Sequence, residues 1–334
     1  MSASVIPRLL LEQNGRLLTV RFNNPPRNFF DEQMSIELDD LARALRRDDS
    51  IGAVLFTGVE DSYMTHFDVG DLLRASRSMP VSMSYKSARV AAALARGAAR
   101  WPGADQLLRR TPARQAMLLA RIYGSLDRLN RLDKVIVTAI NGLAFGMGCV
   151  FALACDIRVI NDSSDIGLTE SALNMLAAGG GTQRLTRMIG TGRALDLLLE
   201  GRWLTATEAA DLGLVHSVIP STDLLPYTTN LAERLSHRSA VNIREIKRAV
   251  YEAAARPLAG GLAREAAGAI IALTSPQAER ALNTYQKLLD SHEPLTDNDV
   301  KVSLRTVADQ GLCSSGEPTS PPGVLREKLK GIGL

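Results

Sequence analysis

Cysteine is scarce. Cys149, Cys155 and Cys313 are the three in 334 residues, none at paired metal-ligand spacing, and two lie in an apolar run. That argues against a zinc centre and predicts reduced core or tail thiols of a cytosolic protein. No apolar window reaches the roughly 20 residues of a membrane-spanning helix, and the N-terminal apolar run is too short for a signal peptide. A net charge of +3, spread through most of the chain, gives no general pull toward nucleic acid, and no DNA partner is expected. No internal repeat or heptad run is present. One shortage is local: between Arg74 and Arg131 two acids, Asp105 and Asp127, stand against twelve lysines and arginines, a local net charge of +10. A basic amphipathic segment of this kind can attract the phosphates of a ligand, an acidic partner protein, an anionic membrane surface or RNA. It can equally be a solvated face at a subunit boundary. Its aromatics, Tyr85, Trp101 and Tyr123, are too sparse for a single-strand stacking platform.

The chain opens with apolar runs at Leu9 to Glu12 and Leu17 to Phe22 around Asn14-Gly15, which predicts a hairpin. Asp31 is placed to cap a helix whose Met34, Leu38, Leu41 and Leu45 share a face. Ile51 to Thr57 reads as a buried strand. The basic segment carries two helical patterns, about Ser84 to Arg100 and Ala113 to Leu132, separated by Trp101-Pro102-Gly103 and Thr111-Pro112. Leu204 to Leu212 reads as a helix leading into the strand around Gly213 to Pro220, where His216 is most simply structural. Helical patterns fill Leu224 to Leu289, and the residues after Asp290 read as a tail.

The stretch from Asn141 to Arg184 bears on chemistry. An apolar run, Val135 to Ile140, stops at Asn141-Gly142, and a second begins at Gly146-Met147-Gly148, so a buried strand turns sharply into a buried helix. The first N–H groups of such a helix lack partners, and with the helix dipole they can hold a developing negative charge. A carboxylate follows at the end of a short apolar strand, Ile166-Gly167-Leu168-Thr169-Glu170, then Gly179-Gly180-Gly181-Thr182-Gln183-Arg184. An anion-holding turn beside a lone acid points to proton transfer.

Three patterns in that stretch, NG-x-A-x-G-x-G-C, the following A-x-x-CDI-R, and GGTQRL-x-R-x-IG, resemble the crotonase superfamily of enoyl-CoA hydratases and isomerases. The match is dense over Val135 to Pro220, fair over Leu9 to Leu73, poor between Arg74 and Asp133, and absent after about Asp290. The resemblance implies an α/β fold with a ββα spiral core over residues 1–222, the basic helical insertion at about 76–132 included. A C-terminal helical trimerisation region would span 223–290 and a tail 291–334. It further implies an acyl-CoA or acyl-carrier thioester as substrate, no other cofactor, no metal, a homotrimer or dimer of trimers, and a cytoplasmic role in fatty acid metabolism.

Residue by residue, the resemblance puts the two oxyanion N–H donors on Phe67 and Met147, and CoA contacts on Arg27, Asp68 and Val69. Arg109, Arg110 and Arg114 of the insertion are expected near the CoA or carrier site. Met147 stands where most relatives have glycine. His66 also replaces a usual glycine and is a possible auxiliary acid or base. Hydratases use two glutamates; here the first position is Val150 and only Glu170 remains. The further acid of dehalogenating and diene-shifting relatives is Ala178. The pattern is closest to the 3,2-enoyl-CoA isomerases, with Glu170 alone moving the proton. Alternatives are an atypical hydratase, a decarboxylase using His66, or a non-catalytic scaffold binding acyl-CoA, a carrier protein or RNA.

Overall fold

The computed structural model describes residues 6–78, 83–99, 101, 113–253, 255–292 and 296–309. Strands β1 (Leu9–Asn14) and β2 (Leu17–Phe22) form the antiparallel hairpin, with Gly15 at φ +54° in the turn. β2 then pairs in parallel with β3 (Ala53–Gly58), β3 with β4 (Val135–Ile140), β4 with β6 (Ile157–Asn161) and β6 with β9 (Ser217–Ile219). The result is a six-stranded sheet in the order β1-β2-β3-β4-β6-β9. Every residue of β3 is buried, which is why its sequence is a continuous apolar run rather than an alternation. A second sheet takes β5 (Ala144–Phe145), β7 (Asp165–Gly167) and β8 (Leu204–Thr205). From β4 to β7 the chain therefore alternates between sheets, and this winding brings residue 146 beside residue 167.

Helices cover the sheets. α1 (Glu32–Leu45) is capped by the Asp31 carboxylate accepting Met34 N–H at 2.7 Å, and buries the face anticipated from its period. α2 (Val69–Ser78), α3 (Tyr85–Ala98) and α4 (Ala113–Asn130) follow. Then come α5 (Met147–Ala154), α6 (Gly181–Ile189), α7 (Thr191–Glu200) and α8 (Ala206–Asp211). The C-terminal region is α9 (Leu224–Ser236), α10 (Ala240–Ala253), α11 (Leu258–Leu273), α12 (Pro276–Asp290) and α13 (Asp297–Asp309). Phe22, Phe56, Tyr63 and Phe151 pack edge-on or stacked at the centre of the core, with ring centroids 4.9 to 6.0 Å apart. The Lys247 ammonium ties α10 to the core through Asp156 at 2.7 Å and the Lys134 carbonyl at 2.9 Å.

Two expectations change. The helix expected from Leu204 begins two residues later, because Thr205 and Glu208 form a reciprocal capping box and leave Leu204–Thr205 free to pair with β7. The stretch after Asp290, read as a tail, carries α13. Thr296 and Asp299 cap its start reciprocally, the Asp299 carboxylate accepting Thr296 N–H at 2.9 Å.

Candidate active site

The turn into α5 is built from glycines because nothing else fits. Gly146 sits at φ +48°, ψ −114°. A Cβ on Gly148 would lie 1.8 Å from the Met64 carbonyl oxygen, so the helix start and the 64–67 segment touch backbone to backbone. The first helical bond runs from Val150 N–H to the Gly146 carbonyl at 2.9 Å; the amides of Met147, Gly148 and Cys149 precede it. Across from them, Phe30 donates to the His66 carbonyl at 2.8 Å and accepts Asp68 N–H at 2.9 Å. Strand alternation then turns the N–H of Phe67 away from Phe30. Phe67 and Met147 both line one cavity of about 520 Å³.

Glu170 reaches the same cavity through the second sheet. β5 pairs with β7, and Gly146 N–H donates to the Gly167 carbonyl at 2.9 Å. Three residues on, Glu170 opens a short 3-10 turn that Asn174 closes at φ +54°. A Cβ built on Gly146 would stand 3.5 Å from Glu170 Oε1 and 3.7 Å from His66 Cβ, so the glycine keeps the space between them open. Oε2 of Glu170 is buried without a hydrogen-bond partner among the described residues. Desolvation raises the pKa of this carboxyl, offset in part by its own backbone N–H.

The rest of the cavity is hydrocarbon. Val150 is part of its wall, with Cγ1 2.8 Å from where a Gly179 Cβ would be and Cγ2 3.0 Å from that of Gly181. The glycines that follow Ala178 thus make room for a valine. Asp71 also borders the cavity, but its carboxylate accepts Glu32 N–H at 3.3 Å and pairs with Arg74. His66 lies on the cavity wall, stacked on Phe29 with centroids 4.6 Å apart. Its Nδ1 is 2.7 Å from the Phe67 carbonyl, which can only accept, so Nδ1 carries a hydrogen and Nε2 is the ring nitrogen left to face other partners.

Glu170, Phe67, Met147, His66 and Val150 therefore meet at one cavity. The other expected contacts do not join them in the same way. Asp68 caps α2, its carboxylate accepting Asp71 N–H at 2.8 Å, while Val69 stands half-exposed on the cavity wall. Arg27 is exposed and borders a separate polar cleft of about 350 Å³ with Asp61, Ser62 and Asn161. Arg109 and Arg110 lie outside the described residues, and Arg114 pairs with Glu32. Sequence reasoning missed Leu118, Leu119 and Ile122 of α4, which line the cavity. Their only signal was the apolar period of a helix in the segment where the family pattern is weak. His216 is structural, accepting Arg158 N–H at 3.1 Å, and burial lowers its pKa. Among the described residues no group of three His, Cys, Asp or Glu could hold a metal, and no helix is long and apolar enough to cross a membrane.

The family model for enoyl-CoA hydratase/isomerase matches residues 102–286, more than half of the chain. The chain belongs to the enoyl-CoA hydratase/isomerase family. YngF of Bacillus subtilis (strain 168), named as an enoyl-CoA hydratase/isomerase, is 40% identical over 137 residues. The 2,3-dehydroadipyl-CoA hydratase of Escherichia coli (strain K12) is 37% identical over 138. Each alignment takes in 41% of this chain and spans about half of the relative, 53% and 54% of its length. In three dimensions the enoyl-CoA hydratase of Bacillus anthracis superposes with a TM-score of 0.68 at 23% identity, over 84% of this chain and 96% of that one. The fold is accordingly the crotonase fold. The chain's matched region starts inside the basic insertion, so α4 belongs to the family framework although its motifs there are faint.

Proposed function

We propose that the enzyme isomerises a 3-enoyl thioester to the 2-enoyl thioester, with Glu170 as the only proton carrier. The carboxylate takes a proton from C2, and the released electron pair moves into a dienolate whose charge collects on the thioester oxygen. The Phe67 and Met147 amides hold that oxygen. The same carboxyl then delivers the proton to C4 as the double bond settles between C2 and C3. One observation carries this reading: the cavity offers one unpartnered carboxylate oxygen, on Glu170, while Val150 occupies the place of the second hydratase acid with packed hydrocarbon. Water addition needs a group to hold and activate water while a proton is delivered, and valine can do neither. The raised carboxyl pKa also suits a base that must act on carbon.

Hydration is the second reading, favoured by His66. Its Nδ1 is taken by the Phe67 carbonyl, Nε2 belongs to a ring that lines the same cavity, and the E. coli relative is by name a hydratase. Separate incubations with 3-enoyl-CoA and 2-enoyl-CoA, followed by product identification, decide between them. The isomerase reading expects 2-enoyl-CoA from the first and no 3-hydroxyacyl-CoA from the second at a comparable rate. Hydration as fast as isomerisation would transfer the assignment to a Glu170–His66 pair.

We propose further that the enzyme is at least a trimer. Leu258, Leu262, Ile270 and Leu273 leave α11 with an exposed apolar side that its own subunit does not cover. Analytical ultracentrifugation at micromolar concentration is expected to give the mass of three chains or a multiple, and a monomer would refute it.

A further inference from the structure

Helix α3 is packed inside out. Its contact with α4 is a seam of small residues, with Ala95, Ala98 and Ala99 against Ala116, Met117 and Ala120. The large apolar side chains point the other way: Leu94 is 70% exposed, Val90 is exposed, and Trp101, just past the helix end, is 77% exposed. A helix that serves only its own core buries leucine and leaves alanine outside, because each buried leucine contributes far more apolar area. Here the arrangement is the reverse, which leaves an apolar ridge in search of a covering.

Charge says what kind of covering. Val90 and Leu94 are one helical turn apart, and Lys86, Arg89 and Arg96 form a parallel ridge beside them. None of these three cations is paired with an acid among the described residues. Three other arginines of the insertion are paired within the fold: Arg114 with Glu32, Arg128 with Asp39 and Arg131 with Asp127. Among the described residues, unpaired positive charge thus lies beside the apolar ridge. Tyr85, 81% exposed, and Trp101 flank the ridge at its two ends, and both have the apolar body and polar tip that suit a headgroup boundary. A second copy meeting this face about a two-fold axis would set these unpaired cations against their own copies.

We propose that α3 is a surface-binding helix that seats the enzyme on an anionic lipid bilayer, Val90, Leu94 and Trp101 entering the headgroup boundary and Lys86, Arg89 and Arg96 meeting the lipid phosphates. α4, on which α3 rests, lines the acyl cavity with Leu118 and Ile122, so the bound surface lies one helix layer from the hydrocarbon site. This inference does not depend on which reaction Glu170 performs.

The test is co-sedimentation of the full chain with large vesicles of phosphatidylcholine alone and of phosphatidylcholine mixed with phosphatidylglycerol, at low and high salt. The wild type is expected to bind the anionic vesicles and to be released by salt. The triple variant Lys86→Gln, Arg89→Gln, Arg96→Gln should lose roughly 100-fold in partition, from about fivefold per cation near a charged surface. Val90→Ser with Leu94→Ser should weaken binding to the same vesicles while leaving the melting temperature and the vesicle-free turnover unchanged, since neither residue supports the core. Binding equally strong to neutral vesicles, or none to either, overturns the proposal. So does a wild-type oligomer that Leu94→Ser dissociates, which would make the face a contact between copies, or capture of an acidic carrier protein in place of lipid.

Discussion

Glu170→Gln is expected to lower isomerisation of 3-enoyl-CoA by roughly 10² to 10⁴, the range for a positioned general base, with little change in substrate binding. Glutamine keeps the shape and removes the basic oxygen. The pH profile should carry the same residue's signature. Burial raises the carboxyl pKa, and abstraction needs the ionised form, so kcat/KM should climb with pH through a value above the usual carboxylate range. Stability moves the other way. A carboxyl whose pKa is higher folded than unfolded favours the folded state fully below its unfolded value, near about 4.3, and that contribution is lost as pH rises through the folded value. At neutral pH Glu170→Gln should therefore melt above the wild type, and the two should converge in acid. Thermal melts across pH check this, and a variant that melts lower at neutral pH would mean the carboxylate is held by partners rather than desolvated.

Gly148→Ala should be the most damaging single methyl in the protein's site. Its Cβ would fall 1.8 Å from the Met64 carbonyl oxygen and 3.4 Å from that of Thr65. The collision is with the Met64 backbone, so no rotamer relieves it, and the 64–67 segment must move away from the start of α5. Those two segments carry the Phe67 and Met147 amides. Misplacing one donor is expected to cost roughly 10² to 10³ in kcat, along with about 1 to 3 kcal/mol of stability from overpacking. Gly192→Ala, in α7 with no atom near its Cβ, is the matched control and should leave both unchanged or slightly improved. Comparable losses in the two variants would show that the damage is not specific to the turn.

The parts of the site that could be read in advance are those fixed by local chemistry. The Asn141 to Gly148 punctuation marks a strand-to-helix turn because only glycine tolerates its dihedrals and close contacts. Glu170 is conspicuous as a lone acid after an apolar stretch. The short strand ahead of Glu170 was legible and is β7, but β5 and β8 were not, since strands of two residues have no periodicity to detect, and yet the pairing of β5 with β7 sets Glu170 beside Gly146. Leu118, Leu119 and Ile122 looked like ordinary core positions of a helix; that they line a cavity depends on what stands across from them. The reversed burial of α3 was equally invisible, because an alanine-rich helix with scattered leucine and arginine does not declare which side faces inward. Val150 is the instructive middle case: its identity removes one chemistry, and only packing against Gly179 and Gly181 shows that the space was refilled.

In the proposed isomerisation one carboxyl both removes the C2 proton and returns it at C4. The most direct measurement is conversion of 3-enoyl-CoA deuterated at C2, with the label located in the earliest product by NMR. Because Glu170 Oε2 is buried and unpartnered, part of the label should be carried across and appear at C4 of the 2-enoyl-CoA. Product formed with no label at C4 from the first turnovers would contradict it.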